Sequence, residues 1–313
     1  MILVTGGLGF IGAHTARAIV DLGEDCVVSQ YRVARSPDFI AAEIGTRIVV
    51  EQLDVTDLAA FRALTMKHQI TGIVHLAGTG STPHDTFEDV RANSEGVLNA
   101  LQIARDLGVR ITLASSIAVY AGLRDESLHE DLRAPLTAGH PIEAFKKTAE
   151  VMASYVSARE AVDSVNLRIA GIYGPGYRSM NNMPSRFVHA AVKNRAVELP
   201  RGPIYGEDGG DLCDARDCGR AIALVQLAKS LEHRTYNVGV GRAITNRDLY
   251  AALKGVMPGF EVELHAGFDP KGSGIASFLD ITRIHRDTGY EPAFSLEASM
   301  ANYVDWLRAG HEN

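Results

Sequence analysis

Short apolar runs alternate with longer stretches of helical periodicity through the first half of the chain. The runs at 2–4, 26–29, 47–53, 72–76, 110–114 and 165–169 have the length and composition of buried strands. Between them, 13–22, 58–68, 87–107 and 142–161 place apolar residues at helical spacing. Strict alternation of strand and helix predicts an α/β fold with a doubly wound parallel sheet of the Rossmann type, helices covering both faces. Beyond residue 170 the order loosens. Gly174-Pro175-Gly176, Pro200, Gly202-Pro203 and Gly209-Gly210 punctuate loops there. Residues 1–170 are therefore expected to form the main domain and 171–313 mainly a smaller cap, with some later segments returning to the sheet.

The first strand runs directly into Thr5-Gly6-Gly7-Leu8-Gly9-Phe10-Ile11-Gly12, with a helical stretch behind it. Gly6 suits a tight turn and Gly9 a close backbone approach to a pyrophosphate. Gly12 suits packing of the helix against the strand. The free N–H groups and positive dipole end of that helix then face the phosphates. This stretch predicts a dinucleotide site, which makes the first domain dinucleotide-binding and the cap substrate-binding. An acid normally ends the second strand and bonds the ribose hydroxyls, but here the position is Gln30, followed by Arg32 and Arg35. No carboxylate repels a 2′-phosphate, and an arginine can pair with one, so NAD and NADP both remain open. Asp54 and Val55 close the third strand, and Asp57 suits a helix cap. His75 reads as a core histidine, with catalysis the alternative.

Composition narrows the class of protein. With 313 residues and 46% hydrophobic content the chain can hold one large domain or two unequal ones. A net charge of −7, without a basic run, argues against nucleic acid as a partner. Cys26, Cys213 and Cys218 are too few for a disulfide framework and lack the further ligands of a metal site, so buried thiols are expected. No apolar segment has the length of a membrane span, and the N-terminus reads as a strand rather than a signal peptide. A soluble, cytoplasmic protein with a small-molecule substrate is the expectation.

The glycine opening, Asp54-Val55, His75-Leu76-Ala77-Gly78, Asn93 through Asn99, Ser115-Ser-Ile-Ala-Val-Tyr120 and Lys146 with Glu150 come in a characteristic order. Leu167 through Gly176, Tyr205-Gly206 through Asp211, Asp217, Tyr236 through Gly239, and Gly289-Tyr-Glu-Pro292 leading to Trp306 continue it. Taken together, these blocks resemble the extended short-chain dehydrogenase/reductase family, its NAD-dependent epimerase/dehydratase group. The resemblance implies an oxidoreductase that moves a hydride at a carbinol carbon of a sugar or nucleotide sugar. It also implies a cofactor-binding set of Gly6, Gly9, Phe10, Ile11, Gly12, Gln30, Arg32, Asp54, Val55, Leu76, Ala77, Gly78, Asn93, Lys146 and Ile169.

The family's catalytic groups are a serine or threonine, a tyrosine and a lysine, the last two as Tyr-x-x-x-Lys. Ser116 and Lys146 match, but the tyrosine position is Ile142, which cannot carry a proton. His140, Glu143, Tyr120 and Tyr173 are the candidate replacements, with His140 favoured because imidazole titrates near neutrality. On the substrate side the usual asparagine is Gly171, and the usual arginine before Asp211 is Gly210. Ser116, Gly171, Asn182 and Arg186 are the expected substrate contacts, with Arg178, Lys193 and Lys271 as further cations near that region. A reductase of a small hydroxy or keto compound and a lapsed cofactor-binding sensor or scaffold are the alternative functions. Many relatives dimerise through the helices corresponding to 87–107 and 142–161, which implies a homodimer. Val97, Leu98, Leu101 and Ala104 make an apolar stripe there that also suits ordinary core.

Overall fold

The apolar runs lie side by side in one parallel sheet because each is flanked by helices that hide both of its faces. The structure is a computed structural model, and it describes residues 1–32, 35–78, 85–199 and 202–311. Its main sheet has seven strands: β1 (Ile2–Thr5), β2 (Cys26–Gln30), β3 (Ile48–Gln52), β4 (Gly72–His75), β5 (Ile111–Ser116), β6 (Ser164–Ile169) and β7 (Thr235–Val238). They are ordered β7-β6-β5-β4-β1-β2-β3, every pairing parallel. The chain leaves β1 first toward β2 and β3, then returns to build outward from β4. The carboxyl ends of β1 and β4 therefore flank the crevice in which ligands of such sheets bind.

The helices are α1 (Phe10–Asp21), α2 (Leu58–His68), α3 (Thr86–Leu107), α4 (Pro141–Glu160), α5 (Met183–Val192), α6 (Ala215–Leu227), α7 (Asn246–Val256), α8 (Thr282–Thr288) and α9 (Leu296–Arg308). Successive strand residues point to opposite faces. Ile2, Val4 and Val28 pack with Ile19 of α1 and Cys218 and Ile222 of α6. Leu3, Val27 and Ile73 pack with Phe61 of α2, Leu101 of α3 and Ala153 of α4. Helices α1 and α6 approach so closely that a Cβ on Gly219 would lie 2.5 Å from the His14 carbonyl. A third apolar cluster, Phe187, Leu253, Met300, Tyr303 and Val304, joins α5, α7 and α9 into a cap.

Helix starts differ from the periodic pattern because capping, not periodicity, sets them. Helix α1 begins at Phe10, three residues before the predicted start, since Gly9 already serves as its N-cap. Helix α4 begins at Pro141, with His140 as N-cap. Asp57 caps α2 as expected, accepting from the Ala60 N–H. All three cysteines are free and buried. Of the stripe on α3, Val97, Leu101 and Ala104 are core, whereas Leu98 is 44% exposed. Asp211 ties the cap region to the sheet: its carboxylate accepts from the N–H groups of Val240, Gly241 and Leu279.

Candidate functional site

The turn after β1 is built by glycines that leave no room for side chains. Gly6 has φ +66°, in the left-handed region, and a Cβ there would sit 3.1 Å from the Ala77 backbone. A Cβ on Gly12 would lie 2.3 Å from the Gly6 carbonyl oxygen. Gly12 therefore packs α1 against the glycine turn itself, not against the strand as the spacing suggested. Contact with the neighbouring strand falls to Gly7, which the spacing argument passed over: its Cβ would be 2.6 Å from Val28 Cβ. The first helical N–H to find a carbonyl inside α1 is that of Ala13, bonded to Gly9. The amides of Phe10, Ile11 and Gly12 thus stand at the positive end of the helix without intrahelical partners.

Beside this turn lies a cleft of about 410 Å³ lined by Gly6, Ser29, Gln30, Tyr31, Arg32, Leu53, Asp54, Val55, Thr56, Ala77, Gly78 and Ala92. Asn99 of α3 braces its floor, donating from Nδ2 to the carbonyls of Val55 and Thr56 at 3.0 Å each. Burial pushes the Asp54 carboxyl up, but bonds from Thr56 and Tyr31 outweigh it and hold the group below the ordinary value. Gln30 Oε1 is buried with no hydrogen-bond partner among the described residues. A cleft bordered by Gln30, whose buried acceptor lacks a partner, beside a glycine turn that admits backbone approach, fits the adenosine half of a dinucleotide. Arg32 lies over the Tyr31 ring, 4.9 Å from its centroid. Arg35 does not join it: with Arg178 it lines a separate small cleft beside Gly9 and Phe10.

Across the turn a second cavity, of about 320 Å³, brings Ser116 and Lys146 together with Gly9 to Gly12, Leu76, Ile142, Ile169 and Ala170. Ser116 ends β5 and accepts from the Ala118 N–H at 3.2 Å. Its hydroxyl proton is then free for a ligand. Lys146 sits one turn beyond Ile142 on α4, and burial alone pushes its ammonium down to about 8. Behind it, Asn93 and His75 line an inner cavity that Lys146 also reaches. His75 bonds Thr5 Oγ1 at 2.9 Å and is pushed down to about 3 by burial and then by Lys146, which makes it a neutral core histidine. Asn93 thus lies on the lysine side rather than in the adenosine cleft.

The proposed tyrosine replacements are dispersed. Tyr120 Oη donates to Asn237 Oδ1 and accepts from Arg168 Nη1, each at 2.9 Å, inside the core. Tyr173 is buried among the cap residues. The Glu143 carboxylate is held by Lys147 at 2.6 Å and the Gly139 N–H at 3.0 Å, and lies below its ordinary value for those reasons in that order. His140 accepts from the Ile142 N–H through Nδ1 at 3.2 Å. It lies outside the Ser116–Lys146 cavity, in the adjoining cavity under the cap. Ile142 borders both.

That outer cavity, of about 740 Å³, is also lined by Asn181, Arg186, Tyr205, Asp208 and Asp269. Arg186 is placed there as expected, with one guanidinium nitrogen donating to the Glu198 carbonyl. Asn182 is not. Its amide caps α5, accepting from Ser185 N–H and donating to the Ile172 carbonyl, and Asn181 lines the cavity instead. Gly171 is also outside the lining, since a Cβ on it would meet Leu212 Cδ2 at 2.9 Å and the Asp211 carbonyl at 3.2 Å.

Glu150 and the Leu167-Arg168 block, separate in the sequence, are joined by a network that no motif spacing announces. Ser115 Oγ donates to Glu150 Oε1 at 2.5 Å, and Arg168 grips the same carboxylate through Nε and Nη2 while donating to Tyr120 and the Glu130 carbonyl. This buried lattice holds β5, β6 and α4 in register directly beneath Ser116. No group of side chains among the described residues could hold a metal ion, and no described helix is long and apolar enough to cross a membrane.

A family model described as NAD dependent epimerase/dehydratase matches residues 2–239. A dTDP-glucose 4,6-dehydratase of Streptomyces griseus is 29% identical over 318 residues, covering 97% of this chain and 93% of its own. A UDP-glucose 4-epimerase of Neisseria gonorrhoeae is 23% identical over 333 residues, covering 98% and 97%. The solved UDP-glucuronic acid 4-epimerase of Bacillus cereus, in complex with NAD, superposes with a TM-score of 0.81 at 21% identity, covering 99% of this chain and 97% of that one. A match through the whole of the sheet and the site, on a chain whose glycine turn opens onto a serine and a lysine, identifies this protein as a member of the NAD-dependent epimerase/dehydratase family.

Proposed function

We propose that this protein is a nicotinamide-dinucleotide-dependent epimerase or dehydratase of a sugar or nucleotide sugar, in which Ile142 stands where relatives carry a proton-transferring tyrosine. The observation that carries the reading is the single cavity shared by the first turn of α1, the Ser116 hydroxyl and the Lys146 amine. When bound, the dinucleotide supplies a reversible acceptor for a hydride from a carbinol carbon. The amides of Phe10, Ile11 and Gly12, at the positive end of α1, hold its pyrophosphate. Gln30, Arg32, Asp54 and Val55 take the adenosine half, with Ala77 and Gly78 leaving the backbone close to it. Leu76 and Ile169 would flank the nicotinamide end, and Lys146, with Asn93 beside it, would hold the ribose. Ser116 donates a hydrogen bond to the reacting oxygen of the substrate and holds it in place. His140 stands at the mouth, where the substrate would enter from the cap.

The cap cavity has room for a nucleotide sugar. Its described lining offers one guanidinium, Arg186, against two carboxylates, Asp208 and Asp269. That balance favours a sugar without a diphosphate, because a diphosphate asks for more charge-assisted donors. We further propose a homodimer through α3 and α4, whose outer faces expose Phe87, Val90, Leu98, Val151 and Tyr155.

Identification of the nucleotide released on denaturing the purified protein, followed by titration of stripped protein with NAD⁺ and NADP⁺, tests this reading. Tightly held NAD⁺, with conversion of UDP-glucose, dTDP-glucose or a free sugar, supports an internally recycling epimerase or dehydratase. Exchangeable NADP⁺ with net production of reduced cofactor points to the small-molecule dehydrogenase instead. Failure to bind either dinucleotide refutes the reading.

A further inference from the structure

We propose that Lys146 Nζ is itself the proton-transferring group of this site, taking the place that a tyrosine holds in proteins it resembles. The inference rests on the function proposed above. It starts from an elimination within the cavity. Among the described residues that line the space around Ser116, Lys146 is the one ionisable side chain; the others are glycines, alanines, apolar side chains and two serines. The candidate carriers elsewhere on the chain are engaged: Tyr120 in the Arg168 network, Tyr173 in the cap, and Glu143 with Lys147. His140 faces the outer cavity with Nδ1 used by the Ile142 amide.

Ile142 has two consequences rather than one. It deletes a phenol, and it leaves the lysine without the oxygen that would favour its charged form. No hydrogen bond or ion pair ties the Lys146 ammonium to another described side chain. The groups around it are uncharged or already committed. From β4 comes neutral His75. From β5 come Ser115, which donates to Glu150, and Ser116. From α3 come Asn93 and Ser94. On α4 itself Glu150 is occupied by Arg168 of β6. Burial without a counter-charge brings the amine to about 8, in the range where a group can both accept and return a proton at physiological pH. An oxidised nicotinamide placed alongside would add a positive charge and favour the neutral amine further.

The step balances without an additional reactant. Ser116 Oγ holds the substrate oxygen, the O–H bond breaks, and its proton ends on Lys146 Nζ, turning amine to ammonium. With the nicotinamide dinucleotide that the family uses bound as hydride acceptor, the carbinol C–H would break with its electron pair passing to it, and a C=O bond would form. Reversal returns the proton from the ammonium to the oxygen.

Two measurements test it. Trace labelling of the holoenzyme with acetic anhydride across pH, read by mass spectrometry at Lys146, should give a midpoint at or below about 8, against about 10.4 for an ordinary lysine. A midpoint above about 10 overturns the proposal. The second uses dTDP-glucose, UDP-glucose and free glucose as probes. Lys146→Arg keeps a cation for the ribose but cannot release its proton. It should bind NAD⁺ within a few-fold of wild type yet lose roughly 10²–10⁴-fold in kcat. Adding Ile142→Tyr should recover at least about tenfold of that loss by restoring an acid. Turnover by Lys146→Arg within about tenfold of wild type also overturns the proposal. If the wild-type protein converts none of these sugars, the functional reading loses its support from these substrates, while the labelling midpoint still decides the state of Lys146.

Discussion

Removing the Lys146 charge should make the apoprotein more stable, although it removes a group from the site. The reasoning is linkage. The amine falls from an ordinary value of 10.5 in the open chain to about 8 in the folded protein, and burial is the cause. At about 1.4 kcal/mol per pH unit, the folded state carries roughly 3 kcal/mol for the ammonium at neutral pH. Below pH 8 the lysine is charged in both states and this cost is present in full. Between pH 8 and 10.5 the unfolded chain binds more protons, so stability rises with pH. Above 10.5 the amine is neutral in both states and the cost is gone. Lys146→Met keeps the length and apolar character of the side chain. It should therefore exceed wild type by up to about 3 kcal/mol at pH 7, with the gap closing by about pH 10.5. Equilibrium unfolding in urea at several pH values, followed by circular dichroism on dinucleotide-free protein, measures it. A variant no more stable than wild type at pH 7, or a gap that does not narrow with pH, refutes the reasoning.

Other consequences can be checked alongside. Arg168→Met strands the Glu150 carboxylate beneath Ser116 and should cost roughly 3–5 kcal/mol in the same urea assay, with much of that recovered in the Glu150→Leu/Arg168→Met double variant; two losses that simply add would count against the network. Gly12→Ala forces a methyl onto the Gly6 carbonyl and should cost about 1–3 kcal/mol, with a clear loss of dinucleotide affinity by titration calorimetry. Gln30→Asp places a carboxylate at the end of β2 and should weaken NADP⁺ relative to NAD⁺ by at least about tenfold; an unchanged ratio would remove the 2′-phosphate from that end of the cleft. Tyr155→Glu, on the exposed face of α4, should shift the protein from dimer to monomer in light scattering after size exclusion, and an unchanged mass would exclude that face as the interface.

Much of this protein is locally encoded. Apolar runs and helical periods place six of the seven main-sheet strands and helices α1 to α4, because burial on two faces leaves a continuous apolar signature in the chain itself, while α6, which covers one face beside α1, is not announced. Gly9 and Gly12 are equally local, since each missing side chain answers to the Gly6 carbonyl a few residues away. Ser116 and Lys146 could be named in advance from the order of the blocks around them. Tertiary structure decided the rest. Strand β7 joins the sheet from far along the chain, and no period announces which edge it will pair with. Gly7 matters because β2 passes against it, and Gly171 because Leu212 covers it. Asn181 faces the cavity and Asn182 the helix end because α5 starts at Met183, which makes Asn182 its N-cap and leaves Asn181 in the loop. Tyr120, Glu143 and His140 could all serve as acids on composition alone. Glu143 and His140 are engaged at the start of their own helix, by Lys147 and the Ile142 amide, whereas Tyr120 is engaged by Asn237 and Arg168, partners settled only when distant segments pack. The same holds for Lys146, whose type is written in the sequence and whose charge is set by what surrounds it.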